Sequence, residues 1–184
     1  MAAARRVEFG YNPPAGERGI EQVNPATFVQ DLQRVADYAS QHFDSFWVPD
    51  HIMRGDGERY LLRSVAEHAD WWLAFSRGID TLKRKLAVLE DHCRAVGRDP
   101  ATIRKTYPLT VFLARTRAEA ELRAGRRLEG NEPPFAGEPA ALRERLLELA
   151  DLGFDLFQLV FAGFPETDDM RLFVEEVLPA FRQS

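Results

Sequence analysis

An adjacent acid and histidine, Asp50 and His51, are residue types that suit proton transfer. They follow Phe46-Trp47-Val48, a run of strand-forming residues, and Pro49, which lacks the N–H that a continuing strand would donate. In parallel α/β folds the carboxyl ends of strands carry the functional groups. The pair is therefore a candidate general acid or base with its orienting carboxylate. The alternative is that Asp50 caps a turn and His51 is a surface histidine.

A short glycine turn follows this pair and leads into a helical pattern. Gly55 and Gly57 flank Asp56, Arg54 stands just before them, and apolar residues at helical spacing begin at Leu61. Glycine lets backbone N–H groups approach an anion, and a helix N-terminus favours negative charge. The segment is a candidate phosphate site in which Arg54 would offset the Asp56 carboxylate. A turn that binds nothing is the alternative.

Both candidates need a frame of strands, and the chain alternates strand and helix patterns from end to end. We predict strands at 7–11, 45–48, 70–75, 106–114 and 154–161. We predict helices from 25 to about 39, 58–68, 79–96, 116 to about 128, 139 to about 152, and from 168 onwards. This alternation predicts an α/β fold with parallel strands.

Local signals refine three of these elements. Pro108 is expected to weaken the first half of the strand at 106–114. Thr116 and Glu119 have capping-box spacing and predict a helix start. The segment 130–137 contains two prolines and is predicted to be a loop.

The composition is that of a globular protein. The 184 residues are 45% hydrophobic and 29% charged, which is enough chain for one domain with its own core. The net charge of −5 argues against general nucleic-acid binding and against docking on anionic membranes. The first residues lack the apolar core of a secretory signal, and no apolar run approaches the roughly 20 residues of a membrane span. The cytoplasm is the expected compartment.

Metal and cysteine chemistry find little support. Cys93 is the only cysteine, which excludes an internal disulfide, and it falls on the apolar face of a predicted helix as a small buried residue. Glu67 and His68 are adjacent, so they point to different faces of a helix and cannot form a ligand pair. No metal site is predicted.

Several longer stretches resemble the luciferase-like monooxygenases, and in particular the subgroup that uses the deazaflavin coenzyme F420. These stretches are FDSFWVPDHIM (43–53), GERYLLRSVAEHADWW (57–72), KLAVLEDHCRAVGRDPATI (85–103) and FVEEVLPAFR (173–182), with a weaker match at 137–161. They cover most of the chain in the family order. The unusual HCRAVGRDP (92–100) makes the resemblance specific.

The resemblance implies a TIM barrel, for which about 250 residues is typical, with its middle missing. Met53 runs almost directly into Gly55, so the third, fourth and nearly all of the fifth barrel strand are absent. What remains resembles strands one, two, six, seven and eight. We therefore expect a single domain (1–184), shortened near 53–55, with an incomplete (β/α) TIM-barrel-like fold of about five parallel strands.

The resemblance also implies roles for the candidate residues. In deazaflavin-using relatives the histidine at the position of His51 lies beside the cofactor ring as general acid or base, and Asp50 matches the neighbouring acid. Gly55 and Gly57, with Arg54, match the turn that holds the cofactor phosphate. Trp72 is a candidate for the wall of the cofactor pocket, with core packing as the alternative. Coenzyme F420 is the expected cofactor, and FMN is the alternative.

Two functions follow from these observations. The first is a flavin- or deazaflavin-dependent oxidoreductase that transfers a hydride between the cofactor ring and a small organic substrate. The second is a non-catalytic remnant that binds flavin weakly or acts only in an assembly. Since five strands cannot close an eight-stranded barrel, we expect open edges at 45–48 and 70–75. We expect these edges to form a homodimer or larger assembly.

Overall fold

Strands and helices alternate in the computed structural model, which describes residues 6–11, 28–46, 61–74, 78–129, 133–163 and 165–182. The strands are β1 (Glu8–Tyr11), β2 (Ser45–Phe46), β3 (Trp71–Leu73), β4 (Arg104–Leu113), β5 (Phe135–Gly137) and β6 (Leu156–Phe161). The helices are α1 (Phe28–His42), α2 (Leu61–His68), α3 (Ile79–Ala95), α4 (Arg117–Ala124), α5 (Pro139–Asp151), α6 (Asp168–Glu176) and α7 (Pro179–Arg182). Short 3₁₀ turns cover Pro100–Thr102 and Gly125–Glu129.

The described strands form one parallel sheet in the order β2-β1-β6-β4-β3. The first and last of the predicted strands pair directly, with Phe9 opposite Phe157 and Tyr11 opposite Leu159. In the expected barrel these are strands one and eight, so the seam between them is retained. Among the described residues β2 and β3 are the two ends of this order. The prediction of an α/β fold with an incomplete set of parallel strands is confirmed.

The path of β4 corrects two predictions. Pro108 does not weaken the first half of this strand, which begins at Arg104 and pairs with β6 through Pro108. The proline affects the opposite edge of β4, which pairs with β3. There the Ala74 N–H donates to the Thr106 carbonyl, and the next bond of a parallel ladder would run from the N–H of residue 108 to the Ala74 carbonyl. Proline has no N–H, so Pro108 cannot supply this bond of the ladder beyond the described part of β3.

Beyond this point the same edge of β4 is taken by β5. Phe135–Gly137, which lies in the segment predicted to be a loop, pairs in parallel with Val111–Leu113. The loop prediction is therefore wrong for these three residues. A three-residue strand carries too little alternation to be distinguished from a loop, and it is β4 that supplies its ladder partners.

The core on the helix side of the sheet is built from aromatic rings. The ring of Phe9 lies 5.7 Å from that of Phe157 on the neighbouring strand, 5.2 Å from Phe173 of α6 and 5.1 Å from Phe181 of α7. Phe43, just after α1, stacks on Phe173 at 5.7 Å. These side chains are buried and join three helical segments to the centre of the sheet, which contributes roughly 1.5–3 kcal/mol per side chain.

The helices follow their sequence signals closely. The hydroxyl of Thr116 accepts the N–H of Glu119 and caps α4, as predicted. Gly97, which adopts a φ of 70°, follows α3, and Cys93 on that helix is buried. None of the described helices is both long and apolar enough to cross a membrane.

A closed ionic cluster ties the strands together at their amino ends. The guanidinium of Arg104 lies 2.6 Å from Glu8 Oε2 and donates through Nε to Asp155 Oδ1 at 3.1 Å. Its Cζ lies 4.7 Å from the ring centroid of Trp71. Burial lowers the pKa of Arg104, but the bonds and charges of Glu8 and Asp155 outweigh it and raise the pKa overall. The cluster fixes the starts of β1, β3, β4 and β6 relative to one another.

Candidate functional site

The carboxyl ends of β4 and β6 open into a cavity of about 840 Å³. Its walls are the ends of these strands and the helices that follow them, α4 and α6. Phe112, Leu113 and Leu172 line it as buried apolar residues, and the remainder of the lining is largely charged. The volume is in the range of small-molecule sites, about 300–1,000 Å³, and its position is the one at which parallel α/β folds bind ligands.

An arginine from α4 is held rigidly in this wall. Arg123 donates through Nη1 to the Leu113 carbonyl at 3.0 Å and through Nη2 to Asp169 Oδ1 at 2.5 Å. Asp169 Oδ2 in turn accepts the N–H of Leu113 at 3.4 Å. The last residue of β4 is therefore clamped through both of its backbone polar groups. The clamp joins α4, α6 and the strand end into one wall.

The carboxylate in this clamp is almost fully buried. The Asp169 side chain is 2% exposed, whereas that of Arg123 is 34% exposed and faces the cavity that it lines. Burial raises the pKa of Asp169 above its ordinary value, and the bond and charge of Arg123 offset only part of that increase. The bonds to the arginine and the backbone thus offset part of the cost of burying the carboxylate.

Gly163, which follows β6, leaves the space that the clamp occupies. A Cβ at this position would lie 3.0 Å from Asp169 Oδ1 and 3.1 Å from Arg123 Nη2. A side chain would therefore push against both partners of the ion pair. The strand end, the glycine and the two charged residues form one packed unit.

A second arginine of the cavity, Arg171, is also fixed by its neighbours. Its Nε donates to Thr167 Oγ1 at 3.1 Å, and its Cζ lies 5.3 Å from the ring centroid of Tyr38 on α1. The other two arginines of the lining are held differently. Arg115 is 77% exposed and lies 3.6 Å from Glu176, and Arg127 lies over the ring of Phe112.

The residues predicted as the site fall mostly outside the described part of the chain. Asp50, His51, Arg54, Gly55 and Gly57 all lie within 47–60, so their predicted roles stay predictions. What the structure does give is the strand before them. β2 ends at Phe46 and pairs in parallel with β1, so its carboxyl end points to the same edge of the sheet as the cavity.

Trp72, the remaining predicted site residue, is in the core. Its side chain is 4% exposed and its ring lies 6.2 Å from that of Phe154. The packing alternative describes these contacts, and contact with a cofactor stays a prediction. Among the described residues no group of three or more histidines, cysteines, aspartates or glutamates could hold a metal ion.

Sequence reasoning missed Arg123, Gly163 and Asp169. Both charged residues fall within predicted helices, Arg123 in the one from 116 to about 128 and Asp169 in the one from 168 onwards, and neither was predicted as a site residue. The two lie 46 positions apart, and no motif spacing joins them. The one usable signal is that Gly163 and Asp169 follow an apolar strand at its carboxyl end, where parallel folds place functional groups.

Three solved structures are similar to this chain in fold. The coenzyme F420-dependent tetrahydromethanopterin reductase from Methanopyrus kandleri superposes with a TM-score of 0.54 at 15% identity, covering 74% of this chain and 51% of that one. Riboflavin lyase RcaE, solved with modified FMN and riboflavin, superposes with a TM-score of 0.51 at 16% identity, covering 66% of this chain and 40% of that one. The monooxygenase RslO1 from Streptomyces bottropensis superposes with a TM-score of 0.50 at 19% identity, covering 65% of this chain and 44% of that one. The chain has the fold of the luciferase-like monooxygenases.

The luciferase-like resemblance seen in the sequence is thus confirmed at the level of the fold. The chain spans between 40% and 51% of the length of these three neighbours, which agrees with a barrel that lacks part of its strands. No family model matches the chain, and a search of curated proteins finds no match.

A flavin-type cofactor suits the cavity in size. The volume of about 840 Å³ is large enough for a tricyclic ring system, while the accessible lining is mainly polar because Phe112, Leu113 and Leu172 are themselves buried. The arginines of the wall suit an anionic group. The turn predicted to hold the cofactor phosphate lies within 47–60, outside the described residues.

Proposed function

We propose that this chain is a flavin- or deazaflavin-dependent oxidoreductase of the luciferase-like type, acting on a small organic substrate. The observation that carries the proposal is the strand order β2-β1-β6-β4-β3. It directs the carboxyl end of β2, four residues before Asp50, towards the same edge of the sheet as the cavity of β4 and β6. The bound cofactor would supply the hydride chemistry, and the protein would supply binding and proton transfer.

Each predicted residue has a defined task in this proposal. His51 moves a proton, which suits a side chain whose pKa in isolation is about 6.5. Asp50 orients it. Arg54, Gly55 and Gly57 hold the cofactor phosphate, and Trp72 supports the ring pocket from the core side. The absorbance spectrum of the purified chain tests the proposal directly, because either cofactor absorbs visible light.

Coenzyme F420 is the cofactor that we propose, with FMN as the alternative. The sequence HCRAVGRDP (92–100) and the Pro49-Asp50-His51 motif resemble the deazaflavin subgroup. One fold neighbour is described as dependent on coenzyme F420 and another was solved with a modified FMN, so both remain to be compared. Fluorescence titration with each cofactor should show tighter binding of coenzyme F420. Tighter binding of FMN would contradict this choice.

The role of His51 can be separated from cofactor binding. We expect His51→Ala to lower turnover by about 10²- to 10⁴-fold, the usual contribution of a positioned acid or base, and to change cofactor affinity little. The matched control is His92→Ala on α3, which does not line the cavity. Equal turnover in His51→Ala and the wild type would remove His51 from the mechanism.

A non-catalytic remnant is the second candidate. It is favoured by the span of the chain, which covers 51% or less of each of the three neighbours. Such a protein would bind a flavin weakly or act only within an assembly. Cofactor binding without turnover over a panel of small organic substrates would favour it over the oxidoreductase.

We also propose that the chain assembles with a second copy through β2 and β3. These strands end the described sheet order, and Trp71 and Leu73 on β3 are 47% and 39% exposed. Exposed apolar residues on an edge strand favour pairing with another chain. Light scattering after size exclusion should give more than one chain per particle, and Leu73→Lys should lower that number. A folded monomer at micromolar concentration would overturn the assembly.

A further inference from the structure

Arg123 and Arg171 differ from most surface arginines in the way their neighbours hold them. Arg123 is held by a buried carboxylate and a backbone carbonyl, and Arg171 by a buried threonine hydroxyl and an aromatic ring. Both line the cavity at the ends of β4 and β6. Partners of this kind fix a guanidinium before any ligand arrives, which reduces the entropy lost on binding.

Both guanidiniums have N–H donors that the described hydrogen bonds do not use. A guanidinium carries five N–H groups, of which Arg123 uses two and Arg171 uses one. The others have no partner within the described part of the chain. Since both side chains line the cavity, these unused donors are open to the solvent and to whatever enters it.

We propose that Arg123 and Arg171 form an anion-binding subsite that takes a phosphate or carboxylate group of the ligand. Arginine forks match the oxygens of such groups and bind them through charge-assisted bonds. The inference rests on the proposed function only for the identity of the ligand. The phosphate of a cofactor and the phosphate or carboxylate of a substrate are the two possible sources of the anion.

The acidic residues of the cavity shape this subsite. Asp169 is already paired with Arg123, and Glu119, Glu166, Asp168 and Glu175 also line the walls. With both signs of charge present, the cavity has no strong long-range attraction for anions. Affinity must come from direct bonds to the two guanidiniums.

Binding of inorganic phosphate, measured by calorimetry, tests the arginines without any flavin. We expect Arg171→Gln to weaken phosphate binding about 10-fold or more, the value of one lost charge-assisted bond. Replacing Arg171 removes one bond to the Thr167 hydroxyl and one contact with the Tyr38 ring and leaves none of the described carboxylates buried without a partner, so this variant should fold. Arg123→Lys keeps a positive charge beside Asp169 but loses the fork, and it should also bind phosphate about 10-fold or more weakly.

The control is Arg94→Gln on α3, which changes the net charge by the same amount as Arg171→Gln. Within the described part of the chain the Arg94 guanidinium pairs with Asp91, away from the cavity. This variant should bind phosphate within about twofold of the wild type, as expected for an exposed pair. The subsite is disproved if the wild type binds no phosphate at millimolar concentration, or if Arg171→Gln and Arg123→Lys bind it as tightly as Arg94→Gln.

Riboflavin and FMN, which differ by one phosphate, identify the source of the anion. If the subsite holds the cofactor phosphate, Arg171→Gln weakens FMN and leaves riboflavin unchanged. If it holds a substrate group, the variant leaves both unchanged, and phosphate still binds to the flavin-loaded wild type. Equal weakening of FMN and riboflavin would contradict the subsite. Failure of riboflavin, FMN and coenzyme F420 to bind, with phosphate binding intact, would instead contradict only the oxidoreductase.

Discussion

The two ends of the sheet each contain an arginine beside a buried aspartate, but the two arginines differ in their partners and in what lies next to them. At the amino ends, Arg104 is bonded to both Glu8 and Asp155 and covered by Trp71. At the carboxyl ends, Arg123 has one carboxylate partner, Asp169, and opens on a cavity. The same pair of residue types thus closes the structure at one end and leaves hydrogen-bond donors available at the other.

The difference follows from the direction of the strands. All described pairings are parallel, so the amino ends gather at one edge, where neighbouring strand starts meet directly. At the opposite edge the chain must leave each strand and enter the next helix, and α4 and α6 separate enough to form a cavity. Parallel α/β folds keep stability at one end and function at the other for this reason.

The largest expected effect is at the amino ends. Arg104→Met should lower the free energy of unfolding by about 2–4 kcal/mol, because it leaves the carboxylates of Glu8 and Asp155 together without a cation. Urea denaturation measures this change. Arg171→Gln, which removes an arginine that contacts no buried carboxylate among the described residues, is the reference variant and should change stability by about 0.5 kcal/mol or less. Similar losses of stability in both variants would show that Glu8 and Asp155 do not depend on Arg104.

A smaller effect is expected from filling the space beside the carboxyl-end pair. Gly163→Ala would place a methyl group 3.0 Å from Asp169 Oδ1 and 3.1 Å from Arg123 Nη2. We expect a loss of about 1–2 kcal/mol, typical of an overpacked site. In an Asp169→Ala background the methyl has room, so the same substitution should cost much less. Additive costs in the double variant would contradict the packing of Gly163 against the clamp.

The smallest expected effect is a dependence of stability on pH. Because the folded-state pKa of Asp169 is raised, its contribution to stability is fully present below its unfolded pKa, about 3.9, and is lost as the pH rises through the folded pKa. The wild type should therefore lose stability relative to Asp169→Asn as the pH is raised from 4 towards neutrality. Denaturation of both proteins across that range measures the slope.

Asp168→Asn is the control for this slope, since it removes an exposed carboxylate from the same helical turn. The free energy of unfolding of the wild type relative to Asp168→Asn should change less with pH than its free energy of unfolding relative to Asp169→Asn. The raised pKa would be contradicted if the wild type kept the same stability relative to Asp169→Asn at every pH, or became more stable relative to it as the pH rises.

Much of the fold was predictable because its signals are local. The helix predicted at 79–96 is observed as Ile79–Ala95, and the Thr116 cap forms the predicted bond. The pairing of the first and last strands agrees with the resemblance, in which they correspond to barrel strands one and eight. The prediction failed at Pro108 and at Phe135–Gly137, where the neighbouring strand, and not the local sequence, decides the pairing.

The sequence by itself determined the alternation of strands and helices, since hydrophobic periodicity and caps act over a few residues. It also supplied the Asp50-His51 pair and the glycine turn, whose chemistry depends on residue type and immediate order. Only the tertiary structure decided that Arg123 meets Asp169 from 46 positions away, and that Gly163 makes room for them. Such contacts depend on how parallel strands and their helices pack in space, which no spacing along the chain encodes.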